Sequence, residues 1–408
     1  MLSFHRRSLL IALLAACSGA MAQAPEQDST MRRSLDVYGH VMMDMGYNAG
    51  ASHPDWFDVM RPSKLPGFKD EFGPEGNAYY SVRQTRFGTK SYLPTALGEL
   101  YTQFEFEMFG TGVDAGQTTF RLRHAYGQLG KWGAGQYWSP FMDIDVFPNS
   151  LEYWGPNAMV FFRNVQLRFM PIQGEDKLTF AIERPGASSD NGMHGELLAM
   201  ENVRFRFPTP DFSFEYRKGT GFGYVELAGI LRNIQWEDLV PDSINLEGNA
   251  LGWGLNLSTN IKLGERSTIR AQIVYGQGIQ NYMNDASADI GVKEDTTNVN
   301  KPIEGYALPI IGGLIFLDHY WNKKTSSSIG YSFMDQDLAT TSAANSFRRG
   351  GYGLVNVLYA PVQNMMWGVE LQYGSRENHT DGWEYSAVRV QASFKYYFGE
   401  TFYRRTNG

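Results

Sequence analysis

In FRLRHAYGQLG, residues 120 to 130, Arg121 and Arg123 stand two positions apart, with Phe120 and Leu122 beside them. On an extended chain successive side chains point to opposite faces, so the two guanidinium groups share one face and the two apolar residues the other. A guanidinium presents a rigid fork of donors that matches the two oxygens of a carboxylate. Two of them on one polar face make a station for anions. The same alternation in RNVQLRF sets Gln166 and Arg168 against Val165, Leu167 and Phe169, with Arg163 at the start of the segment. Arg389 and Lys395 fall on a polar face in the same way. In SVRQTRFGTK, Arg83 and Arg86 are three apart and cannot share a face of one regular strand; Arg86 is the one assigned inward.

Negative charge gathers in GQYWSPFMDIDVFPNSLEYWGPNAMVFF, residues 135 to 162, where Asp143, Asp145 and Glu152 lie among aromatics and Pro140, Pro148 and Pro156. Proline fixes φ and stiffens a connection. Trp138, Phe141, Phe147, Tyr153 and Trp154 give the same stretch a packing surface. Two readings stay open for these charges. If the strands around 105 and 123 pair with residue numbers summing to 228, Glu105 faces Arg123 and Glu107 faces Arg121, and the arginines serve as neutralising partners as well as solute contacts. Asp143 and Asp145 either face a passage or tie the loop to a wall, and Arg163 either meets solute or pairs structurally.

Other chemistry finds little support. The histidines beyond His5 are scattered without ligand spacing, and His124 reads as an interface residue rather than a base. Glu105 and Glu107, on a strand facing water, read as wall and not as a hydrolytic pair. NDASAD and KEDTTN lack the spacing of a calcium loop and read as solvated loop. No phosphate-cradling motif stands between a strand and a helix. The expectation is therefore a protein without enzymatic activity, metal or other cofactor.

The chain opens MLSFHRRSLLIALLAACSGAMAQA, with Arg6 and Arg7, a short apolar run and an A-x-A site ending at Ala22, the pattern of a cleaved secretory signal over 1–22. An alternative is lipidation at Cys17, which follows Leu14-Ala15-Ala16. Cleavage after Ala22 removes two of the 36 basic residues and none of the 43 acidic ones, leaving 34 against 43, a net charge of −9. That balance excludes nucleic acid as a partner, since such binding rewards a basic face.

The rest of the chain has no apolar run long enough for a spanning helix, while period-two alternation recurs throughout. Sixteen strands are expected near 35–48, 77–91, 98–110, 117–130, 135–140, 159–170, 177–185, 210–218, 222–236, 251–262, 267–280, 306–321, 325–335, 351–361, 364–376 and 384–398. Short polar turns alternate with long polar loops, and Tyr, Trp and Phe recur at strand ends. Together these features predict an all-β transmembrane antiparallel barrel of about 16 strands. The expected organisation is a short segment over 23–34, a barrel over 35–398 and a tail over 399–408. A sixteen-stranded barrel is too wide for wall side chains to fill, so residues 140–158 are expected to fold inward as a constriction, opposite a basic wall. Such a field lowers the barrier for an anion at the narrow point.

SVRQTRFGTK (81–90), FEFEMFG (104–110), FRLRHAYGQLG (120–130) and the 135–162 stretch continuing into RNVQLRFMPI together resemble the DcaP-like family of trimeric Gram-negative outer-membrane porins. The resemblance implies a homotrimeric sixteen-stranded barrel in the cell outer membrane, in contact with lipid and lipopolysaccharide, that passes small anionic solutes and dicarboxylates above all. The expected solute-facing residues are Arg86, Arg121, Arg123, Arg163, Arg168, Asp143 and Asp145. The alternatives are a general or sugar porin and a surface receptor or adhesin barrel. The chain departs from the family in lacking a long coiled-coil extension before the barrel, and in continuing past Phe398, where a terminal aromatic is expected.

Overall fold

The computed structural model describes residues 33–195 and 203–404; the predicted signal and the lipidation alternative at Cys17 lie outside the described residues. Sixteen antiparallel strands form one closed sheet. They are β1 (Arg33–Asn48), β2 (Asn77–Ser81, then Arg86–Thr95), β3 (Gly98–Phe109), β4 (Thr118–Leu129), β5 (Trp132–Trp138), β6 (Arg163–Ile172), β7 (Lys177–Glu183) and β8 (Val203–Arg206, then Asp211–Thr220). The ring continues with β9 (Gly223–Asp238), β10 (Gly248–Leu263), β11 (Ser267–Gln277), β12 (Pro309–Tyr320), β13 (Thr325–Gln336), β14 (Phe347–Tyr359), β15 (Met365–Asn378) and β16 (Glu384–Arg404). Each strand pairs with its neighbours in sequence, and β16 closes on β1 from Asn48↔Arg389 to Arg33↔Arg404. Closure leaves no strand edge unpaired, which a sheet in hydrocarbon requires.

All sixteen expected strands are present with shifted bounds: the second breaks after Ser81 and resumes over Arg86–Thr95, and the fifth, sixth and fourteenth run Trp132–Trp138, Arg163–Ile172 and Phe347–Tyr359. The last runs through Arg404, because Gly399–Arg404 pairs with Arg33–Tyr38. Residues 399–404 are therefore wall, and Phe398 lies within the strand.

The side chains are sorted in the reverse of a soluble protein. Along β10, Leu255 and Leu257 are 48% and 47% exposed on the outside, while Asn256 and Ser258 are 1% exposed on the inside. A water-soluble sandwich would bury the leucines, since removing their surface from water is favourable. Aromatic rings pair on the outer face near the short turns, Trp132 with Phe169 and Tyr359 with Trp367, where an interfacial belt belongs.

Longer connections lie at one end of the barrel and short turns at the other. The connection from β5 to β6, residues 139–162, leaves the wall and crosses the interior. Phe141, Val146, Ala158, Met159 and Val160 within it are fully buried, against Ala228, Ile230, Val274, Leu314 and Leu354 on the inner faces of β9, β11, β12 and β14. The loop's inward path starts early because β5 stops at Trp138, so β4 above Ala125 has no β5 partner. Gly135 permits the close β4–β5 pairing: its φ is +121°, and a Cβ there would stand 2.1 Å from the Ala125 carbonyl oxygen.

G135A is therefore expected to destabilise the barrel on the order of 1–3 kcal/mol. The readout is the temperature at which the compact band in detergent gels converts to the unfolded one. An unchanged temperature would mean that β5 relaxes freely.

Candidate functional site

Glu107, near the end of β3, points into the barrel and is 1% exposed. A buried carboxylate must be paired, and four guanidinium groups surround this one. Arg123 donates to it at 2.5 Å, and Arg86, Arg121 and Arg163 approach within 3.3, 3.6 and 3.7 Å. Arg123 also donates to Glu105 at 2.6 Å, and Arg86 lies 3.7 Å from the same carboxylate. The Trp138 ring lies beneath two of these cations, 5.5 Å from Arg123 and 5.1 Å from Arg163. The constriction loop joins the cluster through Tyr153, whose hydroxyl donates to Glu107 and whose ring stacks on Phe109 at 3.9 Å.

Local irregularities assemble this group. Glu107 pairs with Arg121 as the sum of 228 predicts, but Glu105 pairs with His124, so Arg123 sits in a β-bulge. A bulge lets neighbouring residues point the same way, and both Arg123 and His124 turn inward. His124 is buried inside the barrel between the rings of Tyr137 and Trp138, not at an interface as the sequence suggested.

Arg83 corrects the parity argument. β2 breaks between Ser81 and Arg86, so the two arginines do not belong to one regular strand. Arg83 is 1% exposed and pairs with Asp58 of the 49–76 loop at 2.6 Å, also donating to the Gly110 and Gln117 carbonyls.

The loop acids face something other than this cluster. Asp143 and Asp145 both accept from Arg217 of β8, at 2.7 and 2.5 Å, and Asp143 accepts further from Tyr224 and Ser258 at 2.7 Å each. The expected field between an acidic loop and the Arg121/Arg123 wall is therefore not what these aspartates make. They tie the root of the loop to β8, β9 and β10. Arg217 was not singled out from the sequence, although FEYRKGT places it on the same face as Ser213 and Glu215. Arg168 is also apart from the Glu107 cluster and donates to the Trp138 carbonyl and to Gln166. Arg389 does face inward, but it is fully buried and donates to Gln391 at 2.7 Å.

At the loop's far tip, Glu370 of β15 accepts from the backbone N–H groups of Leu151 (2.7 Å) and Glu152 (3.1 Å). Glu152 itself is buried and accepts from the Met60 and Gly155 N–H groups. Its carboxyl is pushed up to about 7, chiefly by burial and also by Glu370, with Arg389 and the two N–H donors opposing. Nor is NDASAD a solvated loop: Asp285 accepts from Arg61 and Ser63, and Asp289 from Arg232. Among the described residues no cluster of His, Cys, Asp and Glu suits a metal ion.

A sequence profile described as DcaP outer membrane protein matches residues 36–398. A search of curated proteins finds no match. Among solved structures, the outer membrane channel DcaP of Acinetobacter baumannii superposes with a TM-score of 0.72 at 20% identity, covering 90% of this chain and 97% of that one. An anion-selective porin from Comamonas acidovorans gives 0.58 at 10% identity, with 90% and 100% covered. A trimer form of OmpT from Vibrio cholerae gives 0.52 at 11%, with 90% and 100% covered.

Two outcomes follow from this geometry. E107Q leaves four cations around a neutral group and is expected to cost roughly 3–5 kcal/mol, the penalty for removing one partner of a buried pair, whereas R121A, at the open edge, costs much less. Thermal conversion in detergent gels compares the two, and equal effects would show that Glu107 does not organise the cluster. For Glu152, a folded pKa above the ordinary carboxyl value means that docking of the tip is strongest below about 4.5 and weakens as pH rises through about 7. Current fluctuations from loop excursions should then be fewer at pH 5 than at pH 8, and E152Q should abolish the difference.

Proposed function

The chain belongs to the DcaP outer membrane protein family, and on that premise we propose that it is a diffusion channel favouring small anions, dicarboxylates among them, through the passage beside the Glu107 cluster. The carrying observation is a local imbalance: Arg86, Arg121, Arg123 and Arg163 meet only two carboxylates, Glu105 and Glu107, so four positive charges face two negative ones. Arg123 and Arg163 are the buried members. Arg86 and Arg121 keep 27% and 29% of their side chains exposed and are the pair placed to meet a solute.

The excess is effective despite the acidic chain, because selectivity is set where the passage is narrow and the dielectric low. A dicarboxylate suits two separated forks better than a halide does, each guanidinium taking one carboxylate. The anion-selective porin from Comamonas acidovorans shares the fold and supports the same reading. A family of outer-membrane channels supports diffusion rather than catalysis, and a signal over 1–22 accords with export to that membrane.

The trimer form of OmpT supports a homotrimer. The apolar outer band, with Ile315, Val357 and Val369 each more than half exposed, would meet lipid and, in the outer leaflet, lipopolysaccharide. Asp143 and Asp145 act as structural anchors in this reading and not as the opposite pole of the throat.

R86A/R121A is expected to reduce the anion-over-cation permeability ratio several-fold and to raise the succinate concentration needed for half-block, read from reversal potentials in planar bilayers. Selectivity unchanged in that variant would remove the cluster from the permeation path. A barrel that conducts nothing would instead favour a surface receptor.

A further inference from the structure

On the outer face of the barrel, Leu167 and Val165 of β6 and Phe180 and Ile182 of β7 form part of the exposed apolar band. One step further toward the long loops, the same face carries two cations, Arg163 and Arg184. The Arg184 N–H donates to the Val165 carbonyl at 2.8 Å. The two arginines are therefore diagonal neighbours across the strand pair, about 7 Å apart at Cβ and within reach of each other's long side chains. Both line a cavity of about 260 Å³ beside the end of β5, with Gln136 and Asn281 also in its lining. No aspartate or glutamate lines it.

The protein satisfies neither guanidinium fully. The Arg163 side chain is 5% exposed, and its Nη2 lies 3.7 Å from Glu107, a carboxylate that three other arginines share. Its Nη1 is buried with no acceptor, and a buried donor without a partner is costly. Arg184 is exposed, and its side chain makes no ion pair or hydrogen bond among the described residues. The backbone that carries it is fixed. Its carbonyl accepts from Asn164 at 2.8 Å, and the Gly186 carbonyl accepts from Arg232 and, at 3.0 Å, from Asn281. Asp211 and Asp289, which accept from the lining residues Tyr282 and Asn281, are already paired with Arg232.

We propose that Arg163 and Arg184 bind a phosphate of lipopolysaccharide from the outer leaflet, Arg184 at the headgroup surface and Arg163 within the cavity. The inference rests on the reading in which the apolar band meets lipopolysaccharide, and deepens it by placing one lipid. Height selects this occupant. The cavity begins where the outward apolar residues of β6 and β7 end, the level at which a lipid presents its phosphates, and basic pockets at that level take anionic headgroups. A phosphate offers oxygens to both guanidinium forks at once. Arg163 is then paired on both sides of the wall, with Glu107 toward the lumen and the lipid outside.

The test titrates the purified full barrel in detergent with lipopolysaccharide, following binding by microscale thermophoresis, with dephosphorylated lipid A and inorganic phosphate as competitors. R184Q is expected to weaken lipopolysaccharide binding about tenfold, the size of one lost charged contact, with the reversal potential in planar bilayers unchanged. R184K should retain most of the affinity. R204Q, at an exposed arginine already paired with Glu237, should leave it unaltered, and inorganic phosphate should compete only at far higher concentration than the lipid. Native affinity in R184Q, an equal loss in R204Q, or equal competition by the dephosphorylated lipid overturns the site. Displacement by inorganic phosphate at matching concentration makes it a free-anion site, and an R184Q oligomer that dissociates with its lipid affinity intact assigns the cavity to a second copy; either result also overturns it. If the native chain binds lipopolysaccharide and R184Q binds it equally, the lipid contact stands and this site fails. A native chain that binds none ends both.

Discussion

A carboxylate removed from water must be paired, and the pairing of Glu107 governs the middle of this barrel. Its partners come from β2, β4 and the start of β6, and Tyr153 brings in the constriction loop. Arginines held this way are less free than arginines on an open wall, because each fork already has one preferred direction. That order matters for a channel: groups fixed in advance need not reorganise when an anion arrives. An acidic residue thus organises four basic ones, and in the proposed anion channel the excess of guanidinium over carboxylate, rather than the bare presence of arginine, is what favours an anion.

The same rule pairs much of the remaining interior charge. Arg83 is matched by Asp58, Arg232 by Asp211 and Asp289, and Arg270 by Asp318. Arg83 and Arg232 hold the loop acids Asp58 and Asp289, while Arg232–Asp211 and Arg270–Asp318 join neighbouring wall strands. Their charges offset one another locally, whereas Arg86, Arg121, Arg123 and Arg163 outnumber Glu105 and Glu107.

The strands were legible because a barrel in lipid must show apolar residues outward along its whole length, and Leu255 and Leu257 against Asn256 and Ser258 obey that rule residue by residue. Legibility ended wherever strict alternation did. The bulge at Arg123 and the break before Arg86 shift which side chains face inward, and neither leaves a mark in the local pattern. The extension through Arg404 was hidden because Gly399 and Glu400 interrupt the apolar alternation, although Arg33–Tyr38 supplies a partner strand. The loop's inward fold could be inferred from its length, prolines and aromatics. Its anchors could not, since Asp143 meets an Arg217 that is 74 residues away, a contact fixed only by the path of the whole loop.

That path is also held from above. Arg61 of the 49–76 loop lies 4.1 Å from the rings of both Trp56 and Trp154 and donates to Asp285 of the 278–308 loop at 2.8 Å. Trp154 in turn donates to the Asn284 carbonyl at 2.9 Å, and Met60 donates to Glu152 at the same distance. Three connections at the open end therefore meet at one cation and one indole. The residue next to Trp154 is Tyr153, the constriction's link to Glu107. Asp285, remote in sequence from every arginine of the cluster, is joined to it by contacts through Arg61, Trp154 and the neighbouring Tyr153. The constriction loop is held in place by the wall and by this interlock together.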